Sequence, residues 1–315
     1  MKAKFIGVAS AIAVLSIGLA STQARAAYFV VSGAATNYAV LDEGKSGAPV
    51  NFANSTITGN IGIGGTGSFL PSGGCASTGN ICHIYGNVQF SAANTGQYHT
   101  NSGVSVSGGA LFNQSIVQTT LNSLNTLSTQ LGSESATNVA INIGNGASKT
   151  INASSGVLDG MGNRVFNITS LSFTTGSTLT IKQDTGLAGN SVVFNINQNA
   201  AFGGKIILNG LTADQVLFNV IGTNHTLTLS ANGAALAGDF LDPNGTISAG
   251  NAVLTGRVFG GGTTDIAIAS GMVINAPVAT PLPGALVLFT TGLGAMVGLF
   301  GWRRKRKSAI AGAAA

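Results

Sequence analysis

The sequence predicts a mainly β fold, a β-solenoid accompanied by one long α-helix. Three observations point to it. Short runs of alternating apolar and polar residues recur along the chain, punctuated by Gly, Asn and Ser, the pattern of strands joined by tight turns. The motif [VL]-F-N-[IV] returns at Val165, Val193 and Leu217, with starts 28 and 24 residues apart. A strand-only period in the twenties belongs to stacked coils, none of which can bury its apolar side alone. One stretch, Leu111 to Leu131, has no Gly or Pro and repeats apolar residues at three- and four-residue steps. An antiparallel sandwich also uses short, regularly spaced strands and is the competing architecture.

Charge narrows the function class before any motif is read. Only 7% of the 315 residues are charged, Gly numbers 46, and the mean hydropathy is +0.39. The formal charge of +5 would ordinarily suggest an anionic partner. Its distribution reverses that. Lys2, Lys4 and Arg25 open the chain, and Arg303, Arg304, Lys305, Arg306 and Lys307 close it. Between Ala27 and Pro283 six basic residues face all nine acidic ones, a net of −3. A weakly acidic body has nothing from which to build a nucleic-acid groove, so no nucleic acid is expected as a partner.

Taken in chain order, residues 1–26 read as a secretory signal peptide. Lys2 and Lys4 supply the positive start, Phe5 to Ala20 the apolar run, and Ala24-Arg25-Ala26 the small residues before cleavage. The body, residues 27–276, opens with strands at Tyr38–Leu41 and Thr56–Ile61. Cys75 and Cys82 follow in CASTGNIC. In an oxidising compartment this isolated close pair is expected to form a local disulfide, worth roughly 2–3 kcal/mol by the chain-entropy model. His83 is adjacent, but no fourth ligand is evident and no metal is expected. A strand at Val104–Val106 precedes the helix at about 111–131. Phe112, Ile116, Val117, Leu121, Leu124, Leu127 and Leu131 form its apolar stripe, Gly132 its stop, and the stripe is expected to pack on the domain's own core.

After the helix come strands at Val139–Ile143 and Thr178–Ile181 and the repeats themselves. Each repeat is followed by another alternating run: Leu179–Ile181, Ile206–Leu208 and Leu227–Leu229. Residues 139–276 are expected to give on the order of five or six coils. Asn167, Asn195 and Asn219 would then fall at equivalent places, where stacked amides can form a hydrogen-bonded ladder.

Catalysis finds no anchor in this body. Its histidines, His83, His99 and His225, have no partner pattern, and its carboxylates are scattered apart from Asp42-Glu43. Adjacent strand residues point to opposite faces, so that pair reads as a solvated turn rather than a glycosidase's acid and base. Gly64-Gly65 and Gly260-Gly-Gly262 lack the Lys-Ser/Thr and strand-to-helix setting of a phosphate loop. No enzymatic activity and no cofactor are expected. What remains is surface chemistry on Ser, Thr and Asn. A T-x-T pair projects both hydroxyls to one side of a strand, so Thr178/Thr180 and Thr226/Thr228 are the candidate binding face, interrupted at Ile206–Leu208.

The C-terminal end is organised for a membrane. Residues 277–283 are a linker. Gly284 to Gly301 is an 18-residue uncharged run, roughly 27 Å as a helix. Trp302 stands at the expected interface, so the membrane helix is taken as 284–302, and residues 303–315, with the basic cluster Arg303 to Lys307, are expected to stay cytoplasmic. Ala279-Thr-Pro281-Leu282-Pro283, the short Gly-rich helix and the basic cluster resemble the PEP-CTERM sorting signal of Gram-negative bacteria, with Leu282 where Glu is usual. That resemblance implies processing by an exosortase-type enzyme, after transit through the inner membrane, and delivery to the cell surface or the extracellular matrix.

The body carries a second resemblance. Asn37-Tyr-Ala-Val-Leu41, Ser55-Thr-Ile-Thr-Gly-Asn-Ile-Gly62, one long helix and then strand coils resemble the ice-binding-like β-solenoid proteins. Val192–Ile196, Val216–Val220, Leu236–Asn244 and Val253–Gly260 are closer still to the choice-of-anchor A domain, an adhesive ice-binding-like relative. This resemblance implies a right-handed, discontinuous β-helix with the long helix lying along it. Its function would be that of a surface or matrix adhesin that binds exopolysaccharide or another cell-surface polymer without catalysis. The alternative is an ice-binding protein.

Overall fold

The structure is a computed structural model, and it describes residues 30–45, 49–70, 75, 82–100, 103–184, 191–264, 266–269 and 271–277. The expected signal peptide, the motif Pro281, Leu282, Pro283, the expected membrane helix and the basic cluster lie outside the described residues. Among the described residues no helix is long and apolar enough to cross a membrane.

Strands come in sets, one coil at a time. The N-terminal coils are β1 (Tyr38–Asp42), β2 (Pro49–Phe52) and β3 (Thr56–Thr58), then β4 (Asn60–Ile63), β5 (Ser68–Phe69) and β6 (Cys82–Tyr85), then β7 (Val88–Phe90) and β8 (Val104–Val106), with β9 (Ala110–Leu111) at the edge. Helix α1 (Ser115–Gly132) follows. The second block begins with β10 (Thr137–Ile143) and β11 (Ser148–Asn152), passes the short β12 (Val157–Leu158), and continues with β13 (Asn163–Phe173) and β14 (Thr178–Lys182). Next come β15 (Ser191–Ile196), β16 (Ala200–Phe202) and β17 (Lys205–Asn209), then β18 (Val216–Val220), β19 (Thr226–Leu229) and β20 (Ala235–Ala237). The chain closes with β21 (Asp239–Asp242), β22 (Thr246–Gly250) and β23 (Val253–Thr255), then β24 (Val258–Gly260), β25 (Ala267–Ala269) and β26 (Val273–Asn275).

Among the described residues every ladder between coils is parallel, and β12 alone pairs antiparallel, against the start of β13. Each full coil lays one strand on each of three faces. The first face stacks β10, β13, β15, β18, β21, β24, β1, β4, β7 and β9 in that order. The stack is discontinuous in sequence. The last coil of the second block, through β24, pairs with β1, the first strand of the chain. The chain therefore starts mid-stack, builds to one end, returns along the side as α1, and builds back to its own beginning.

The core explains the repeat. Phe166, Phe194 and Phe218 are register partners, continued by Phe240, and their rings stack at 5.2, 5.2 and 4.8 Å. Inward residues of β13, β15, β18 and β21 fill this interior, while Val165, Val193, Leu217 and Leu241 point the other way into a second cluster with Val117, Leu121, Leu124 and Leu131 of α1. The first face is thus apolar on both sides, and the helix covers its outer side. A face buried on both sides needs a near-continuous apolar run, which Val192–Ile196 and Val216–Val220 supply, all buried and broken only by Asn195 and Asn219.

Three expectations are corrected. The helix starts at Ser115 rather than 111. Leu111 pairs with Gln89 as part of β9, and Asn113 turns the chain at φ 59, outside helical space. The run Thr56–Ile61 is two strands on two faces, turned at Gly59 with φ 127. A Cβ there would meet that of Ala39 at 2.9 Å. Asp42-Glu43 is not a solvated turn: the two side chains are 0% and 3% exposed. They diverge as strand neighbours should. Asp42 Oδ1 accepts the Ile266 N–H at 3.2 Å, and Glu43 faces Asn125 of α1 and lies 3.7 Å from Lys45. Burial raises the Glu43 carboxyl above its ordinary value, with Lys45 opposing.

Candidate binding faces

Two faces remain open to solvent, and each is built by simple alternation. On the second face β10, β13, β16, β19, β22, β25, β2 and β5 lie side by side. β10 and β13 run through the corner from the first face, so both faces share one hydrogen-bonded sheet. Phe173, Phe202, Leu229, Ala249, Ile268 and Phe52 point into the core from successive strands. The residue before each points out, giving a row of Ser172, Ala201, Thr228, Ser248, Ala267 and Asn51, extended by Asn142. All seven are small or amide-bearing, and none is charged. A parallel row brings Thr226 beside Thr246, whose hydroxyl accepts that of Thr264 at 3.0 Å.

The third face consists of a three-stranded sheet, β11-β14-β17, and a six-stranded one, β20-β23-β26-β3-β6-β8. Ser148, Thr178 and Lys205 form one outward row, and Thr150, Thr180 and Ile207 the next. The hydroxyl rank therefore ends after two strands, at a Lys and an Ile.

The candidate threonines do not share a face. Thr178 and Thr180 are on the third face, Thr226 and Thr228 on the second. Ile206–Leu208 interrupts nothing between them, because β17 stacks on β14 whereas β19 stacks on β16. The cause is β16: Ala200-Ala-Phe202 is a strand on the second face whose three residues carry too little alternation to announce it. The run after each repeat is consequently the third-face strand in two coils and the second-face strand in the next. Asn142, Ser172, Ala201, Ser248, Ala267 and Asn51 were not singled out in the sequence; their signal is position, one residue before an inward apolar residue.

Of the expected asparagine ladder, Asn167, Asn195 and Asn219 stand in register, and Asn195 and Asn219 are joined by an amide hydrogen bond. Asn195 and Asn219 are buried on the helix side of the first face. Asn219 donates to Asn195 Oδ1 at 2.9 Å and to the Ser128 carbonyl at 3.1 Å, and accepts the Ser128 hydroxyl at 2.6 Å. Asn195 donates to the Leu131 carbonyl at 2.7 Å. These amides tie the C-terminal end of the helix to two coils of the first face. Cys75 and Cys82 form a disulfide, both sulfurs buried. Among the described residues no group of three or more His, Cys, Asp or Glu could hold a metal ion.

Arg257 closes the seam between the two blocks. Its side chain is fully buried. It reaches Asp239 at 3.4 Å and donates to the carbonyls of Thr36 at 3.4 Å and Pro277 at 2.8 Å. Desolvation raises the Asp239 carboxyl to about 7 against the pull of the guanidinium.

A family model described as "Putative Ice-binding-like adhesive domain" matches residues 15–272. No curated protein matches the chain. Solved structures resemble it as well, three of them as follows. An ice-binding protein from the Antarctic ascomycete Antarctomyces psychrotrophicus has a TM-score of 0.44 and 17% identity, over 78% of this chain and 97% of that one. A glycosylated ice-binding protein from an Arctic yeast has a TM-score of 0.41 and 14% identity, over 82% and 96%. A domain of ice-binding protein 1 from Shewanella frigidimarina has a TM-score of 0.43 and 15% identity, over 77% and 95%.

Proposed function

The chain belongs to this family of ice-binding-like adhesive domains, and on that premise we propose an exported, surface- or matrix-associated structural protein that holds polysaccharide or another surface polymer without catalysis. The observation that carries the reading is the second face, where a row of seven outward residues across neighbouring strands is uncharged and rich in hydroxyl and amide groups. Such a surface meets a hydrated polymer through many weak hydrogen bonds and offers no steering charge. The diverging Asp42 and Glu43 and the Arg257-bound Asp239 support a role without acid–base chemistry.

In the same proposal residues 1–26 export the chain, residues 27–276 form the adhesive domain, and 277–283 carry a PEP-CTERM-like motif at Pro281, Leu282 and Pro283. Residues 284–302 hold the chain in the inner membrane of a Gram-negative bacterium, with 303–315 cytoplasmic, until an exosortase-type enzyme processes it. Cell fractionation in the intact strain tests the reading. The protein should pellet with cells or exopolysaccharide, and its mature C-terminus, by mass spectrometry, should lack Trp302 to Ala315. A protein recovered only in the soluble medium overturns the surface role.

The second reading is ice binding, favoured by the register that sets Thr226 beside Thr246 and Thr228 beside Ser248, where regular hydroxyls would order water. Thermal hysteresis and recrystallisation inhibition by the exported protein test it. Activity abolished by Thr228→Lys would support it, and no activity at high concentration removes it.

A further inference from the structure

We infer that the third face holds a second, separate site, a stacking platform for a neutral pyranose unit centred on Tyr85. The inference rests on the adhesive reading above and assigns it a ligand class. Tyr85 ends β6 with 55% of its surface exposed, although burial of an aromatic ring is strongly favourable. Phe112, the other well-exposed ring, stacks on Phe90 at 5.1 Å, so the protein itself uses that ring face. The Tyr85 ring is backed on its upstream side by His83, parallel within 10° and 5.8 Å away. Its downstream side borders a groove of about 340 Å³ at the corner leading to the first face, walled by Thr36, Asn37, Thr58 and Pro277. That size falls in the range of small-ligand sites, which pair an apolar wall with a few placed polar groups.

The chemistry selects the ligand. A pyranose has a face of C–H bonds that lies against an aromatic ring and a rim of hydroxyls that needs donors and acceptors. The groove offers both. Tyr85 and Pro277 give apolar surface. Thr58, whose hydroxyl donates to Asn275 Oδ1 at 3.4 Å, and the exposed Asn37 give polar atoms at the rim. No wall residue is charged, so a uronate or sulfate finds no counter-ion here, and a neutral sugar loses nothing. The groove also contains no carboxylate, so the site binds and does not hydrolyse. A polymer held here lies on a different face from the second-face rows.

A glycan array probed with the purified full chain tests this, carrying neutral glucans, galactans and mannans beside uronate and sulfated polymers. Wild-type protein should bind at least one neutral class. Tyr85→Ala should weaken that binding about tenfold, Tyr85→Phe should keep it within about threefold, and Phe112→Ala should leave it unchanged. The exposed position of Tyr85 means that its variants keep the wild-type thermal midpoint. No neutral binding, binding to acidic polymers alone, or a Tyr85→Ala protein equal to wild type overturns the site. Pelleting with exopolysaccharide that survives Tyr85→Ala leaves the adhesive reading standing without this site; array binding without pelleting does the reverse.

Discussion

Asn219 does the work of several residues. Its amide joins two coils to the last turn of the helix through three hydrogen bonds, all buried. Asn219→Ala takes this partner from the buried Ser128 hydroxyl and from the Asn195 amide oxygen, each loss costing roughly 1–3 kcal/mol. Urea unfolding should show a loss of about 3 kcal/mol or more, whereas the same change at the half-buried Asn167 should cost under about 1 kcal/mol. Asp242 acts through pH. Burial lifts its carboxyl from 3.8 to about 7, while the backbone amides of Asn244 and Gly245 pull it down. The folded state therefore holds a proton that the unfolded chain has released. Its stabilising effect is complete below pH 3.8 and is lost as pH rises through 7. The urea midpoint should be higher at pH 5 than at pH 8, and Asp242→Asn should reduce the difference, leaving the part that Asp239 carries. Stacking of the asparagines was readable from their spacing; their use as a helix terminus was not, because nothing local to Val193–Ile196 says where the helix ends.

Among the elements, α1 and the Phe-bearing strands were the most legible. Both have strong periods, and both bury a continuous stripe. Phe218 sits in the ring stack between Phe194 and Phe240 and touches Phe202 at 4.9 Å. Phe218→Ala should cost about 3–5 kcal/mol in chemical denaturation, because the cavity has packed rings around it and cannot collapse. Short strands were less legible. β16 has three residues and β5 two. Parallel neighbours and inward rings hold them in place, so their own sequences need little β character.

For the whole molecule, the seam between β24 and β1 is the point of weakness that Arg257 secures. Arg257→Ala strands the buried Asp239 carboxyl and releases Thr36 and Pro277 together. Stability should fall by about 3–5 kcal/mol, and the double variant Arg257→Met/Asp239→Leu should regain most of it, because the penalty lies in the unpaired charge. Equilibrium unfolding of the three proteins checks this. The sequence by itself determined the strand-rich composition, the coil period, the helix, the close cysteine pair and the location of charge at the two ends. Each is a local pattern, written in neighbours along the chain. Only the tertiary structure decided which strand lies on which face, and hence that Thr178/Thr180 and Thr226/Thr228 are apart. It also decided that the last coil meets the first strand. Inward–outward alternation is the same on the second and third faces, so a strand's local sequence does not tell these two faces apart. That assignment comes from hydrogen bonds to strands far away in the chain and from the corners between them.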